Sequence, residues 1–384
     1  MLDPASPESV STLIIGAGPS GLAVAACLRR RSLPFLLVDA ADQVGASWHR
    51  HYDRLHLHTA RQTSGLPHHP MPEQWPTYPS RQQVASYLQT YSDALGLAPR
   101  LGTRVTRARR DGGGWRVEVE GARPIVCRQL VVATGYNALP NRPAWPGLET
   151  FTGRVVHSSE YKNGKELSDQ RVLVVGSGNS GAEIAIDLWE YGARPAMSIR
   201  GPVHVVPRDL FGIPAQRVSI LMSRLPARVA DRLSLPLRQR LVGDLSPWGI
   251  RAPAEGPLEM LEKHGRVPLV DVGTVALIKQ GAITVYPDVR AVDPGGVTFV
   301  DGRRLALDAI VLATGYRAGL ERWIDGVAAA LDGRGLPRVH GAETALPGLY
   351  FCGYRNPTTG ALRESGLEAT RIAAHIASRH REAA

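Results

Sequence analysis

The chain of 384 residues has only three cysteines, Cys27, Cys127 and Cys352, set far apart and without a C-x-x-C pair. Their scarcity excludes a disulfide framework and a dithiol redox centre, and with it thiol–disulfide exchange as the chemistry. No apolar run approaches the length needed to cross a bilayer, and Met1–Ser11 lacks the basic-then-apolar plan of a secretory leader, so a cytoplasmic protein without a membrane span is expected. Lysine is rare, and the formal charge of +10 rests almost wholly on arginine. Those arginines are scattered and do not interleave with aromatics, which argues against nucleic acid as a partner and for anionic small ligands. His49, His51, His56, His58, His68 and His69 lie close in sequence, but no further ligand falls at a metal spacing, so no metal is expected. The remaining composition is that of a globular protein long enough for two domains.

Glycine, by contrast, is plentiful, and two groups of it share one spacing. Arg171–Gly181 reads as a buried strand, Val172–Val175, followed by Gly176, Ser177, Gly178, Asn179, Ser180 and Gly181 in G-x-G-x-x-G order. Helical apolar spacing follows at Ile184, Leu188 and Tyr191, with Gly192 as a stop. Thr12–Gly21 repeats the pattern with Gly16, Ala17, Gly18, Pro19, Ser20 and Gly21. Such glycines let a pyrophosphate approach backbone N–H groups at a helix N-terminus. A single copy carries little weight; two copies point to two dinucleotides, the arrangement that passes a hydride from one to the other. The first copy continues through a helix, Leu22–Arg31, and a strand, Pro34–Val38, to Asp39, placed where an acid bonds ribose hydroxyls. The second copy's next strand, Pro195–Ile199, ends in Arg200, and a cation there favours a 2′-phosphate, hence NADP over NAD.

The remainder shows one module used twice. Arg54–His58 alternates like a strand, a proline-dense loop runs from Pro67 to Pro79, and Ser80 with Gln83 opens a helix closed by Gly96. Paired strands over Arg104–Val119 lead to a buried run, Gln129–Ala133, and to Ala133-Thr134-Gly135-Tyr136. Short strands lead in the same way to Ala309–Ala313 and Ala313-Thr314-Gly315-Tyr316. Phe211–Leu261 reads as short helices. A strand at Gly348–Gly353 and a closing helix at Thr358–Ser378 indicate that the first domain resumes after the second. The fold class is therefore α/β, with two Rossmann-like modules.

Phe151-x-Gly153-x-x-x-His157-x-x-x-Tyr161, between the two glycine motifs, resembles the fingerprint of flavin-containing monooxygenases. Tyr52–Leu55, Pro76–Ser80, Val172–Gly181, Val203–Arg208, Gly256–Glu259 and Val270–Thr274 resemble the plant YUCCA branch, the indole-3-pyruvate monooxygenases. The likeness runs from Ile14 to Gly315 and fades after Tyr316. It implies an FAD domain at 1–150 and 301–384, with an NADPH domain at 151–300 inserted in it. FAD would rest on Gly16–Gly21, Asp39, Gly45, Ser47, Trp48, Val105, Ala133, Thr134 and Gly135; NADPH on Gly176–Gly181, Arg200, Ala313, Thr314 and Gly315. The activity implied is that of a class B flavin-dependent NADPH monooxygenase, in which dioxygen adds at the flavin 4a carbon to form a hydroperoxide. Oxidative decarboxylation of an aryl 2-oxo acid, indole-3-pyruvate to indole-3-acetate, heads the expected reactions. His58 falls where related enzymes place a polar side chain near the flavin, and is assigned the donor to the ketone oxygen. Arg61 falls where the branch carries lysine, and is assigned the clamp on the substrate carboxylate. His157 and Tyr161 are expected to set the angle between domains. The alternatives are N-, S- or ketone oxygenation of another small molecule, an uncoupled NADPH oxidase or reductase, and a flavin binder without turnover.

Overall fold

The computed structural model describes residues 6–382, so the amino-terminal stretch read for a leader lies partly outside it. The chain forms two compact units, the first built from residues up to Arg50, from Thr59–Leu139 and from Tyr316 onward, the second from His51–His58 and Pro140–Gly315. The second unit is thus wider at both ends than 151–300, and it takes eight residues out of the middle of the first.

In the first unit, Leu36–Val38, Glu8–Ile15 and Ile125–Val132 run parallel in that order. Near its start Ile125–Val132 pairs antiparallel with Gly114–Val119, which pairs with Val105–Asp111; near its end it pairs parallel with Leu349–Phe351. That strand therefore has three neighbours. Leu13, Ile15, Leu130 and Val132 alternate onto one face, where Trp115, Phe351 and Tyr354 join them in a buried cluster. Helix Pro19–Arg29 is buried along nearly its whole length and packs with the closing helix Ala361–Glu382. Helix Arg81–Ala94 begins with the expected capping box, Ser80 Oγ accepting the Gln83 N–H and Gln83 Oε1 accepting the Ser80 N–H.

In the second unit the five strands Thr284–Tyr286, Arg194–Ser198, Arg171–Val175, Ala309–Leu312 and Arg154–His157 lie in that order, all parallel. Val172 and Val174 face a cluster with Ile184 and Leu188, while Leu173 and Val175 face another with Phe299 and Ile310, so both faces of the sheet are covered. Residues 211–261 hold helices Ala215–Met222, Ala227–Val242 and Pro257–His264. The middle one is not short: it runs 16 residues through Pro236, with only Ala227, Ala230 and Asp231 buried. Most of the large apolar side chains that stand exposed, from Phe211 to Trp248, fall on this segment. Arg54–His58, expected as a strand, forms none; its alternation reflects side chains turned toward a helix of the second unit.

Candidate functional site

The first glycine turn sits where three strands end side by side. Gly16 N–H donates to Val38 O at 2.8 Å, and Ala133 N–H to Ile15 O at 2.8 Å. Gly16 has φ +111°, and a Cβ there would lie 2.5 Å from Ala133 O; a Cβ on Gly21 would lie 1.8 Å from Gly16 O. The outer glycines thus let the turn pass the neighbouring strand and let the helix seat on the turn. Gly18 differs: a Cβ there would meet nothing within 4 Å, although the residue is the N-cap of helix Pro19–Arg29 and offers no side-chain cap. The open space before uncapped N–H groups, with Pro19 opening the helix, is the cradle a pyrophosphate fits.

Asp39 is tied into this turn. Its Oδ2 accepts Ala17 N–H at 2.6 Å and its Oδ1 accepts Ala41 N–H at 2.8 Å. Gly45 N–H donates to Ala17 O at 3.0 Å, and Asp39 O accepts Thr103 N–H at 2.7 Å, two residues before Val105. The structure thereby brings Gly16–Gly21, Asp39, Gly45 and Ala133 together. Ser47 and Trp48 follow on a short helix, Ala46–Arg50. Gly135 has φ +75° and open space at its Cβ, and Thr134 Oγ1 lies 2.7 Å from the Tyr354 hydroxyl.

Sequence reasoning missed the polar group that closes this end. Ser20 and Ser365 hydroxyls lie 2.9 Å apart, and a Cβ on Gly353 would lie 1.9 Å from Ser20 Oγ. Glu368, fully buried, accepts Gly353 N–H at 2.9 Å, and burial pushes its carboxyl up from the ordinary range. An acid at a position of helical period with Leu362, Ala369 and Ile372 was the available signal.

The second turn repeats the first. Gly176 N–H donates to Ser198 O at 3.0 Å and Ala313 N–H to Val175 O at 2.9 Å. Gly176 has φ +126° and would set a Cβ 2.3 Å from Ala313 O; Gly181 would meet Gly176 O at 2.3 Å; Gly178 again faces open space. The register shows one difference. Ile15 pairs with Val38 and Val175 with Ser198, so the residue matching Asp39 is Ile199, and Arg200 stands one place further on. The strand ends at Ser198, one residue earlier than expected. Ile199 is buried and Arg200 exposed, so this module carries no carboxylate at the ribose position. Asn179 Oδ1 is engaged by Val270 N–H at 2.8 Å, Ser177 follows Gly176 in the turn, Thr314 donates to Asn141 O, and Gly315 has φ +79°.

The fingerprint residues lie within the second unit. His157 Nε2 lies 3.2 Å from Gly315 O and Nδ1 2.9 Å from Ser159 Oγ, while a Cβ on Gly153 would lie 2.3 Å from Asp308 O. Tyr161 donates its hydroxyl to Asp187 Oδ2 at 2.5 Å, and Gly164 N–H donates to the same oxygen at 2.9 Å. His157 and Tyr161 thus tie the turn at Gly315 and the helix Asn179–Glu190, both in one unit.

His58 and Arg61 do not share a unit. His58 Nε2 stands 2.7 Å from Glu183 Oε1 of helix Asn179–Glu190, a carboxylate partner the sequence did not reveal. Arg61 donates Nε–H to Trp75 O at 2.9 Å, and its backbone N–H goes to Thr77 O. It therefore staples the proline-dense loop.

Two like nucleotide turns and the absence of a cysteine pair, all three cysteines being free and buried, define a two-dinucleotide-domain oxidoreductase that does not act through a dithiol. The sequence profile described as pyridine nucleotide-disulphide oxidoreductase matches residues 13–209. The indole-3-pyruvate monooxygenase YUCCA1 of Oryza sativa subsp. japonica is 40% identical over 376 residues, 96% of this chain and 92% of its own. A probable indole-3-pyruvate monooxygenase, YUCCA3 of Arabidopsis thaliana, is 37% identical over 96% of this chain and 87% of its own. Among solved structures, a flavin-containing monooxygenase from Stenotrophomonas maltophilia shares the fold with a TM-score of 0.74 at 24% identity, covering 97% of this chain and 99% of that one. The chain belongs to the YUCCA family of indole-3-pyruvate monooxygenases.

Proposed function

We propose that the chain is an FAD- and NADPH-dependent monooxygenase that converts an aryl 2-oxo acid, indole-3-pyruvate first, into the arylacetate and carbon dioxide. The observation that carries this reading is the family likeness over nearly the whole chain, joined to two cradles that each fit a dinucleotide pyrophosphate. When bound, flavin and nicotinamide nucleotide supply the electrons that activate dioxygen.

The residues do the holding. Gly18 and Gly178 leave room for pyrophosphates against the N–H groups of helices Pro19–Arg29 and Asn179–Glu190. Asp39 keeps lone pairs for the FAD ribose diol after accepting Ala17 and Ala41, because a carboxylate has about four acceptor sites. Arg200 meets the 2′-phosphate that distinguishes NADPH, and no acid at 199 repels it. Arg61, held at Nε by Trp75 O, presents its terminal nitrogens to the substrate carboxylate. His58 does not serve the ketone oxygen, since its Nε2 is turned to Glu183 Oε1 at 2.7 Å.

The test is turnover of indole-3-pyruvate with NADPH under labelled dioxygen. One labelled oxygen in indole-3-acetate, with carbon dioxide released, supports the proposal. Labelled N- or S-oxides with 2-oxo acids inert, or peroxide formed one for one with NADPH, would replace it with oxygenation of another substrate or an oxidase.

A further inference from the structure

Helix Asn179–Glu190 carries three acids on one face, Glu183, Asp187 and Glu190, at i, i+4 and i+7. All three are engaged within the second unit, and two of them by the eight residues His51–His58. Arg54 holds Glu190 with two hydrogen bonds, Nε at 2.9 Å and Nη2 at 2.8 Å. Glu183 is 2% exposed and faces His58 Nε2 at 2.7 Å and the Tyr52 hydroxyl. Tyr52, 3% exposed, also reaches the side chain of Ser180, in the first turn of the same helix.

A buried carboxylate is costly unless its partners are good, and stability alone gives no reason to keep one. This one is incompletely satisfied. His58 and Glu183 are close, yet the contact lacks hydrogen-bond alignment, and His58 Nδ1 has no hydrogen-bond partner among the described residues. The group lies on the helix whose first turn forms the second pyrophosphate cradle, and Tyr52 bridges it to Ser180 in that turn.

We propose that Tyr52, His58 and Glu183 are positioning residues for the nicotinamide nucleotide: they fix the first turn of helix Asn179–Glu190, and so the N–H groups that receive its pyrophosphate. This rests on the reading of the second unit as the NADPH module. The pyrophosphate is common to NADPH and NADH, whereas Arg200 meets only the 2′-phosphate. The two roles therefore have different signatures.

The holoenzyme, with FAD bound, is mixed anaerobically with increasing NADPH or NADH, and flavin bleaching gives a Kd and a limiting rate for each. Tyr52→Phe, which loses a buried hydrogen bond, and His58→Leu, which leaves Glu183 without its facing imidazole, should each raise both Kd values about tenfold. FAD content and limiting rate should stay near wild type. His58→Gln, which restores a donor toward Glu183, should recover most of the affinity. Arg200→Ala, run alongside, should weaken NADPH alone. Wild-type Kd values in both Tyr52→Phe and His58→Leu, with or without a lower melting temperature, would overturn the inference and leave these residues as packing. If neither nucleotide bleaches the wild-type flavin, the reading of the second unit fails first, and the inference with it.

Discussion

At the scale of single residues, two glycines two positions apart separate folding from binding. Gly16 is held at φ +111° with Ala133 O where its Cβ would stand, so Gly16→Ala should cost the first unit stability and lower the yield of folded protein. Gly18 is in ordinary extended backbone with open space at its Cβ. Gly18→Val should therefore give a folded protein that elutes without flavin, as absorbance near 450 nm (about the flavin band) and circular dichroism can show together. Unfolding of Gly18→Val would assign this glycine to the fold instead. Arg200→Ala should raise the Michaelis constant for NADPH by about ten- to a hundredfold, the worth of one charge-assisted contact, and leave NADH nearly unchanged. If both constants rise together, Arg200 is structural. The spacing G-x-G-x-x-G was legible because each glycine answers a separate steric demand. That Ile199, and not Arg200, matches Asp39 was not legible, because register depends on pairing between strands that sequence spacing leaves free by one residue.

At the scale of elements, helix Ala227–Val242 is thinly anchored. Only three of its residues are buried, and Pro236 removes a backbone donor from its interior. His204 ties it down: Arg238 Nη1 lies 2.8 Å from His204 Nδ1, and His204 Nε2 lies 2.7 Å from Glu255 O. An arginine donates only, so Nδ1 accepts, Nε2–H donates and the ring is neutral; burial lowers its pKa in the same sense. His204→Ala should cost about 1–3 kcal/mol and raise hydrogen exchange locally in 227–242, leaving the five-stranded sheet protected. Uniform exchange across the unit would show that the helix is not separately anchored. This role explains a histidine in the Val203–Arg208 stretch that the sequence likeness singled out without a reason. The acids of helix Asn179–Glu190 show a different limit of spacing alone. Polar residues at i, i+4 and i+7 suggest a solvated face, yet here Glu183 and Asp187 are buried under Tyr52, His58 and Tyr161, each acid 26 or more positions from its partner, and only Glu190, paired with Arg54, stays exposed. The strands, the two turns and the capping box were legible because their causes are local; this covering was not, because its cause is distant.

At the scale of the molecule, stability should fall on mild acidification. His340 is partly buried, and burial first, then the charges of Arg355 and Arg371, bring its pKa down to about 4. The unfolded chain takes up this proton near pH 6.5 while the folded chain refuses it until about 4, so stability is lost as pH falls through that window. Glu368, 4.0 Å away and raised by burial, acts in the opposite sense and softens the loss. Urea midpoints at pH 7 and pH 5 should differ less in His340→Gln than in the wild type; an unchanged difference would remove His340 as a source.

The eight residues lent by one unit to the other bear on the order of synthesis. The chain passes between the units at 50–51, 58–59, 139–140 and 315–316, so neither unit is a continuous stretch that can be cut out whole. Tyr52 and His58 leave the ribosome more than a hundred residues before Glu183, an interval of roughly ten seconds at about 5–20 residues per second, and wait without their partner until then. The first unit waits longer, since Leu349–Phe351 must still reach Ile125–Val132. A nascent chain released before residue 349 therefore lacks part of the first sheet, and an excised 140–315 fragment lacks the partners of Glu183 and Glu190. Exchange of nucleotide modules between relatives must carry residues 51–58 along with the helix they cover.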